Sequence, residues 1–380
     1  MRLYLALCVV AGHSSQVFPW HMHRSDQAVQ VFYIVSGFYM AMVCQQGRYS
    51  SARDFYFSRF LRIFPLTWVV VALTVLVSLF FGLLTGHWFA LAPYVSDPFS
   101  KNGAFGVLLA AISNVTLFGQ DWVMFLSSDA GSFLNISRNF WNDRFPLWHY
   151  LLIPQCWSVG VELSFYLLVP FLSRQKNSLI VALMFASLTL RVAFYEITGL
   201  GSDPWSYRFF PFELATFCVG MLSYSVYEYC KRTLSFQGFS SFKGFLVLSA
   251  STLVVLYIAA RGVGFLSRID QGKYSVLVIY PFWGMMVAAL FFVSRRNMYD
   301  RIIGELSFPV YLTHVLVITL LNPAFRRMHF PAEWVGPIAA CLSMLISIFL
   351  YLWFIKPIDE ARHHLTMDKA RGTASVPTGA

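Results

Sequence analysis

Arg2-Leu-Tyr-Leu-Ala-Leu-Cys-Val-Val-Ala-Gly-His13 is an apolar stretch with one arginine at its start and one histidine at its end. It predicts a transmembrane helix, in which eleven residues lead back to roughly the same face, about 16 Å further along. If Arg2 lies at a membrane surface, His13 lies near the middle of a hydrocarbon core about 30 Å thick. An ionisable side chain at that depth is costly, so His13 is a candidate functional residue. A structural histidine that bonds a neighbouring helix is an equally weighted alternative.

The composition is typical of a polytopic membrane protein. Of the 380 residues, 57% are hydrophobic and 12% are charged, against about 25% charged residues in a soluble domain. Much of the net charge of +10 lies between the apolar runs. Loops that face anionic lipid have this property, so the charge does not indicate a nucleic-acid partner. The six cysteines show no C-x-x-C spacing, and we interpret them as reduced packing residues, with no metal site expected.

Apolar runs long enough to cross a lipid bilayer recur along the chain and predict an all-α, polytopic bundle of transmembrane helices. Ten such runs lie at about 3–18, 28–46, 63–85, 150–172, 178–198, 208–229, 245–261, 275–294, 302–322 and 333–356. A weaker run at about 104–119 is either an eleventh span or a re-entrant piece. The predicted transmembrane domain covers residues 1–358, and the polar residues 359–380 are predicted to form a disordered cytoplasmic tail.

The basic residues predict which side of the membrane each loop faces. If the N-terminus is cytoplasmic and 104–119 does not cross, the lysine and arginine clusters fall on the cytoplasmic side and the mixed-charge segment 86–149 faces out. If 104–119 crosses, this bias nearly vanishes. The positive-inside rule therefore favours ten spans with both chain ends in the cytoplasm.

Two arginines open the third run, in Ser58-Arg-Phe-Leu-Arg-Ile-Phe-Pro65. At i and i+3 of a helix, Arg59 and Arg62 point the same way, and guanidinium forks bind phosphate oxygens bidentately. In the predicted topology they lie on the cytoplasmic side, as Arg2 does. On spacing alone, an ordinary basic cluster that anchors the loop is the more common explanation, with phosphate binding as the alternative.

A carboxylate lies well inside the apolar run that contains Trp157-Ser-Val-Gly-Val-Glu162-Leu-Ser-Phe-Tyr166. Ser158 and Tyr166 are the i−4 and i+4 neighbours of Glu162 on one helix face. A buried carboxylate must be paired, protonated or directed at a cavity. Glu162 is therefore either a general base or an orienting group for a histidine, or one half of a structural ion pair, for which Arg191 is a candidate partner.

Other polar residues inside apolar runs are more easily explained by packing. Ser36 and Gly37 lie within the second run, where a glycine permits close helix approach and a serine can form a hydrogen bond across helices. His314, Arg208 and Glu213 are also within predicted spans. Each of these three, taken alone, fits a structural role better than a catalytic one.

Taken together and in order, these segments resemble the acyltransferase-3 family of integral membrane acyltransferases. The resemblance rests on Arg2 with His13 eleven residues later, Phe32-Tyr-Ile-Val-Ser-Gly-Phe38, Arg59-Phe-Leu-Arg-Ile-Phe-Pro65, Trp157-Ser-Val-Gly-Val-Glu-Leu-Ser-Phe-Tyr-Leu-Leu-Val-Pro170 and Gly304-Glu-Leu-Ser-Phe-Pro-Val-Tyr-Leu-Thr-His314. Any one of these motifs is weak. Five in this order, from Arg2 to about Pro357, are a specific signal.

The resemblance implies transfer of an acyl group, commonly acetyl from acetyl-CoA, to a sugar hydroxyl. The implied acceptors are surface polysaccharide, lipopolysaccharide, peptidoglycan or a lipid-linked sugar precursor, and the implied location is a bacterial inner membrane. Arg59 and Arg62, with Arg2 nearby, are then expected to bind the phosphates of a cytoplasmic acyl-CoA. His13 is expected to act as general base or transient acyl carrier, at a site that Glu162 orients or stabilises. Substrate or structural support is expected from Ser36, Trp157, Tyr166 and His314.

Two other classes of function remain open on the sequence. Intramembrane histidine, glutamate and arginine also suit a transporter or flippase for a glycan precursor or small metabolite. No inverted repeat or pair of broken helices supports that alternative. A non-catalytic partner in polysaccharide assembly is the third possibility.

Overall fold

The computed structural model of the protein describes residues 1–96, 98–129, 133–233 and 276–358, together with isolated pieces of 242–262. Only isolated pieces of the predicted run at 245–261 are among these residues, and the predicted tail 359–380 lies entirely outside them. Regular structure in the described part is almost entirely helical. The predicted all-α class is therefore confirmed.

The helices are numbered here in chain order. They are α1 (Arg2–His13), α2 (Ser25–Gln45), α3 (Ala52–Thr85), α4 (Ala92–Val95), α5 (Pro98–Thr116), α6 (Gln120–Val123), α7 (Trp157–Leu172), α8 (Asn177–Thr198), α9 (Phe210–Thr233), α10 (Val276–Ser294), α11 (Met298–Glu305), α12 (Ser307–Arg327) and α13 (Val335–Leu350). Short 3-10 turns cover Phe89–Leu91, Leu147–Tyr150, Pro154–Cys156 and Ala332–Trp334, and a π-helical turn covers Tyr351–Ile355.

Six helical segments in the described part of the chain are long and apolar enough to cross a membrane. They are Ser25–Gln45, Ala52–Thr85, Pro154–Leu172, Asn177–Thr198, Met298–Arg327 and Ala332–Ile358, and shorter apolar helices cover Arg2–His13, Gly103–Thr116 and Ile279–Ser294. The chain is thus a multi-pass membrane protein. The total of ten spans stays a prediction, because the run at 245–261 is described only in isolated pieces.

The first helix ends earlier than the apolar run predicts, at His13 instead of residue 18. Side chains form hydrogen bonds with carbonyl groups in its last turn. Nδ1 of His13 lies 2.8 Å from the carbonyl oxygen of Val9, and the Ser14 hydroxyl donates to the carbonyl oxygen of Val10. With 12 residues, α1 is about 18 Å long. His13 is therefore the last residue of the helix, and the residue as a whole is exposed.

The close approach of α2 and α9 confirms the packing prediction for the Ser36-Gly37 pair. A Cβ atom on Gly37 would collide with the backbone carbonyl of Phe217, and one on Gly220 would collide with that of Ile34. Each helix thus presents a glycine to the backbone of the other, as small-residue interfaces in membranes do. The neighbouring Ser36 is left facing α7.

The segment between α3 and α7 contains structure that the sequence analysis does not predict. The weak run at 104–119 forms most of α5, which carries a kink at Gly103. After α6, strand β1 (Leu126–Asp129) pairs with β2 (Phe133–Ile136) in an antiparallel hairpin whose register joins Leu126 to Ile136. Its four-residue strands are too short to stand out by apolar alternation.

Candidate active site

One end of α1, which we call the arginine end, is built around a carboxylate of α11. Nη2 of Arg62 lies 3.0 Å from Oε2 of Glu305, and Nη1 of Arg2 lies 3.6 Å from Oε1 of the same residue. The side chain of Arg62 is 31% exposed, that of Arg2 is 21% exposed and that of Glu305 is 24% exposed. The predicted proximity of Arg2 and Arg62 is therefore present, and Glu305 joins them.

Arg59 differs from Arg62, although both belong to the start of α3. Its side chain is turned inward and is only 7% exposed. Its Nη2 donates to the Tyr49 hydroxyl (2.7 Å), and its guanidinium lies within 6.0 Å of the ring centres of Tyr49, Phe55 and Tyr166. Among the described residues it has no carboxylate partner, and its buried Nε makes no hydrogen bond. Arg59 is thus a buried cation held by aromatic rings.

Glu162 lies beside this aromatic cluster. Its Oε1 accepts hydrogen bonds from the Ser36 hydroxyl and the Tyr166 hydroxyl, both at 2.5 Å. Tyr166 in turn lies against the Arg59 guanidinium. Within the described part of the chain, Glu162 makes no hydrogen bond to a histidine. The structure thus brings Glu162, Ser36 and Tyr166 together, on the side of Arg59.

The suggestion that Arg191 pairs with Glu162 is wrong. Arg191 of α8 pairs instead with Glu213 of α9, with 3.1 Å between Nη1 and Oε1. Gln30 also donates to Glu213, and Arg191 donates to the Tyr280 hydroxyl. The two charged side chains are 6% and 0% exposed, so α8 and α9 enclose a fully buried ion pair.

The opposite end of α1, the histidine end, places His13 against His314 of α12, with ring centres 5.0 Å apart. Nδ1 of His314 lies 2.7 Å from the Tyr311 carbonyl oxygen, and Nδ1 of His13 faces the Val9 carbonyl. A carbonyl oxygen only accepts hydrogen bonds, so in the neutral ring each Nδ1 carries the proton. Each Nε2 then keeps its lone pair, which is the form a general base requires.

Helix α7 joins the two ends. The Ser158 hydroxyl forms a 2.6 Å hydrogen bond with the Tyr311 hydroxyl, which also donates to the Gln155 carbonyl oxygen. Glu162 follows Ser158 by one helical turn, about 6 Å along the axis, and Tyr166 follows by another. The predicted face of α7 therefore carries polar groups from the arginine end to the histidine end.

Trp157 begins α7 and lies next to a second buried arginine. The Arg208 guanidinium is 4.2 Å from its ring centre and is bound by the carboxylate of Asp203 at 2.5 and 2.7 Å. Arg208 is also within electrostatic range of His13 and Tyr311. Trp157 thus packs against the arginine of a buried arginine–carboxylate pair.

Asp121 of the loop helix α6 is a buried acid that faces α7. Its Oδ1 would be 2.8 Å from a Cβ atom on Gly160 and has no hydrogen-bond partner within the described ranges. Burial raises the pKa of Asp121 to about 6, because the charged form loses its hydration.

Glu305 and the Asp203 partner of Arg208 are site residues that were not predicted from the sequence. A signal for Glu305 was present: it precedes His314 by nine residues, much as Arg2 precedes His13 by eleven. Because α1 and the α11–α12 segment run side by side in the same direction, Arg2 meets Glu305 at one end and His13 meets His314 at the other. Neither pairing follows from one helix considered alone.

Comparison with known proteins decides the family. The model of the acyltransferase domain family Acyl_transf_3 matches residues 1–355. The chain belongs to the acyltransferase-3 family. This assignment confirms the resemblance and makes the protein a membrane acyltransferase.

Two relatives of this acyltransferase are distant in sequence. It is 22% identical to Nodulation protein 10 of Rhizobium leguminosarum bv. viciae, over 94% of this chain and 87% of the relative. It is 24% identical to an uncharacterized protein of Aquifex aeolicus (strain VF5), over 58% of this chain and 93% of the relative. No solved structure matches the chain significantly.

Proposed function

We propose that the protein is an O-acyltransferase that moves an acetyl group from acetyl-CoA to a sugar hydroxyl of a cell-surface glycan or its lipid-linked precursor. The observation that carries the proposal is the state of His13. His13 is an exposed residue at the end of α1, and the hydrogen bond of Nδ1 leaves a lone pair on Nε2. His13 is also carried by the same helix as Arg2, so one rigid element joins a base to a cationic cluster.

The cationic cluster suits the phosphates of an acyl-CoA donor. Arg59 supports this assignment best, because a buried guanidinium without a carboxylate partner is costly unless an anion completes it. Arg62 and Arg2 provide further positive charge. Without a bound phosphate, both arginines form ion pairs with Glu305. Guanidinium groups favour such oxyanions through bidentate, charge-assisted hydrogen bonds.

The proposed reaction needs one base. Nε2 of His13 takes the proton of the sugar hydroxyl while the hydroxyl oxygen attacks the thioester carbonyl carbon. The C–S bond then breaks, and the departing CoA thiolate receives the proton from His13. In the alternative route, Nε2 attacks the thioester first and holds the acyl group until the hydroxyl accepts it. Glu162, through Tyr166 and Ser36, positions the Arg59 side of the site in either route.

The proposed location is a bacterial cytoplasmic membrane with the N-terminus and the arginine end facing the cytoplasm. The basic loops support this orientation through the positive-inside rule. The donor then approaches from the cytoplasm, and the acceptor reaches His13 from the other end of α1.

The proposal is tested by incubating purified full-length protein, in detergent and without a gradient, with radiolabelled acetyl-CoA and glycan or lipid-linked sugar fractions. Covalent label on the acceptor is the expected result. Uptake of substrate into proteoliposomes without any covalent label would favour a transporter instead. Intact donor and acceptor in both assays would contradict both functions. Comparing ester groups on surface glycans of wild-type and deletion cells identifies the acceptor.

A further inference from the structure

His314 has an unused acceptor deep in the protein, next to the residue assigned as the base. Its side chain is 0% exposed, and its Nε2 has no hydrogen-bond partner among the described residues. Its Nδ1 is fixed by the Tyr311 carbonyl, so the ring cannot exchange its two nitrogens without losing that bond. Buried acceptors are normally paired, and leaving one unpaired is costly.

The groups around this nitrogen already have other partners. The Tyr311 hydroxyl, on the same face of α12, donates to the Gln155 carbonyl oxygen and bonds Ser158. The nearest ring on α1 is that of His13, which in its neutral form also offers an Nε2 lone pair. Two lone pairs cannot form a hydrogen bond with each other. The two histidines therefore need one additional proton before their Nε2 atoms can form a hydrogen bond.

The catalytic step proposed above supplies that proton. When Nε2 of His13 takes the hydroxyl proton, the ring becomes a cation with an N–H at Nε2. The two ring centres are 5.0 Å apart, so the proposed hydrogen bond requires the His13 ring to turn its N–H from the substrate oxygen towards the lone pair of His314.

We propose that His314 is a positioning residue whose Nε2 accepts a hydrogen bond from Nε2 of protonated His13. The bond forms as the sugar O–H bond breaks and ends when His13 returns its proton to the CoA thiolate. His314 itself touches neither substrate, because it is fully buried. This inference rests on the proposed function and adds to it the group that stabilises the charged base.

The test compares two substitutions of similar size, His314→Gln and His314→Met. Glutamine keeps a strong acceptor, whereas methionine offers only a weak one. We expect kcat of the His314→Met variant to fall about 100-fold. We expect the His314→Gln variant to stay within about tenfold of wild type, with the KM values for donor and acceptor nearly unchanged in both.

His23 provides a matched control. It is also a buried histidine with an unpartnered Nε2 within the described ranges, but it contacts Tyr4 and Trp283. The His23→Gln and His23→Met variants should have equal kcat values. A role of His314 in packing alone predicts the same equality for the His314 pair.

Equal kcat values for His314→Gln and His314→Met, at equal melting temperature in detergent, would overturn the inference. If His314→Met does not fold, His314→Leu serves as the acceptor-free variant. The two possible failures are distinct. An inactive wild-type protein contradicts the proposed function, whereas an active wild type with equal variants contradicts only the role of His314.

Discussion

Arginine and glutamate meet in two regions of the molecule, with opposite consequences. At the arginine end, Arg2 and Arg62 share Glu305, and all three side chains are between 21% and 31% exposed. Between α8 and α9, Arg191 and Glu213 form one pair that is at most 6% exposed. The same chemical groups are thus accessible in one region and enclosed in the other.

The charge balance also differs. The Arg191–Glu213 pair is neutral, and Gln30 and Tyr280 add hydrogen bonds to it. The arginine end has two partly exposed arginines on one carboxylate. A buried pair is costly to break, whereas a partly exposed cluster with excess positive charge can exchange its carboxylate for a phosphate. The comparison supports a structural role for the first region and the proposed phosphate binding for the second.

The largest expected effect comes from Glu213→Gln. It leaves the Arg191 charge buried without its partner, which costs about 3–5 kcal/mol. Thermal and denaturant unfolding in detergent should show this loss. Unchanged stability would mean that the buried pair is not structural, and the distinction between the two regions would fail.

Asp121→Asn tests a buried acid that has no basic partner in the described part of the chain. The pKa of Asp121 is raised from 3.8 to about 6, so the folded state holds the proton more tightly and wild-type stability falls as pH rises from about 4 to 6. Asparagine does not titrate. The stability of the variant relative to wild type should therefore rise by up to about 3 kcal/mol between pH 4 and 7 and then stay constant. Melting curves of both proteins are measured across this pH range. A stability difference between Asp121→Asn and wild type that does not change with pH would contradict the prediction.

Arg59→Gln and Arg62→Gln separate the two arginines of α3. Loss of a charge-assisted hydrogen bond of about 1.5–3 kcal/mol corresponds to a donor KM about 10- to 100-fold higher. Arg59 should show the larger effect, because Arg62 gives up its bond to Glu305 when it binds a phosphate. The measurement is a donor titration at saturating acceptor. A larger effect at Arg62, or equal KM values in both variants and wild type, would refute this ranking.

Glu305→Gln has the smallest expected effect and the opposite sign. The substitution removes the ion pairs that Glu305 forms with Arg2 and Arg62, so the donor KM should fall about three- to tenfold, a change of about 1 kcal/mol. Asp300→Asn is the control, since it removes a charge from the same short helix and Asp300 forms no ion pair with either arginine in the described part of the chain. Equal decreases in donor KM for Glu305→Gln and Asp300→Asn would mean that the change in net charge, and not the loss of the Glu305 contact, causes the effect.

The sequence was sufficient for features that depend on one helix at a time. Apolar runs predicted the membrane helices, and the spacing of Arg2 and His13 predicted a shared face, since both meet the α11–α12 segment. The small Gly37 predicted a close helix contact. Each of these follows from length or from the helical repeat.

Features that depend on the rotation and depth of a second helix could not be predicted. Glu162 has Ser36 as a partner instead of Arg191, because α8 turns its arginine towards α9. Glu305 was missed because its partners are hundreds of residues away along the chain. The end of α1 at His13 depends on side chains that bond the last carbonyl groups, a choice that apolar content does not reveal.

The most direct test of the account is acyl transfer by the His13→Ala variant, with His21→Ala as a control at a nearby exposed histidine. The account predicts that His13→Ala inserts in the membrane and still binds CoA, but transfers no label to the acceptor. His21→Ala should transfer at the wild-type rate. Transfer by His13→Ala at a rate near that of wild type would contradict the assignment of His13 as the reactive group.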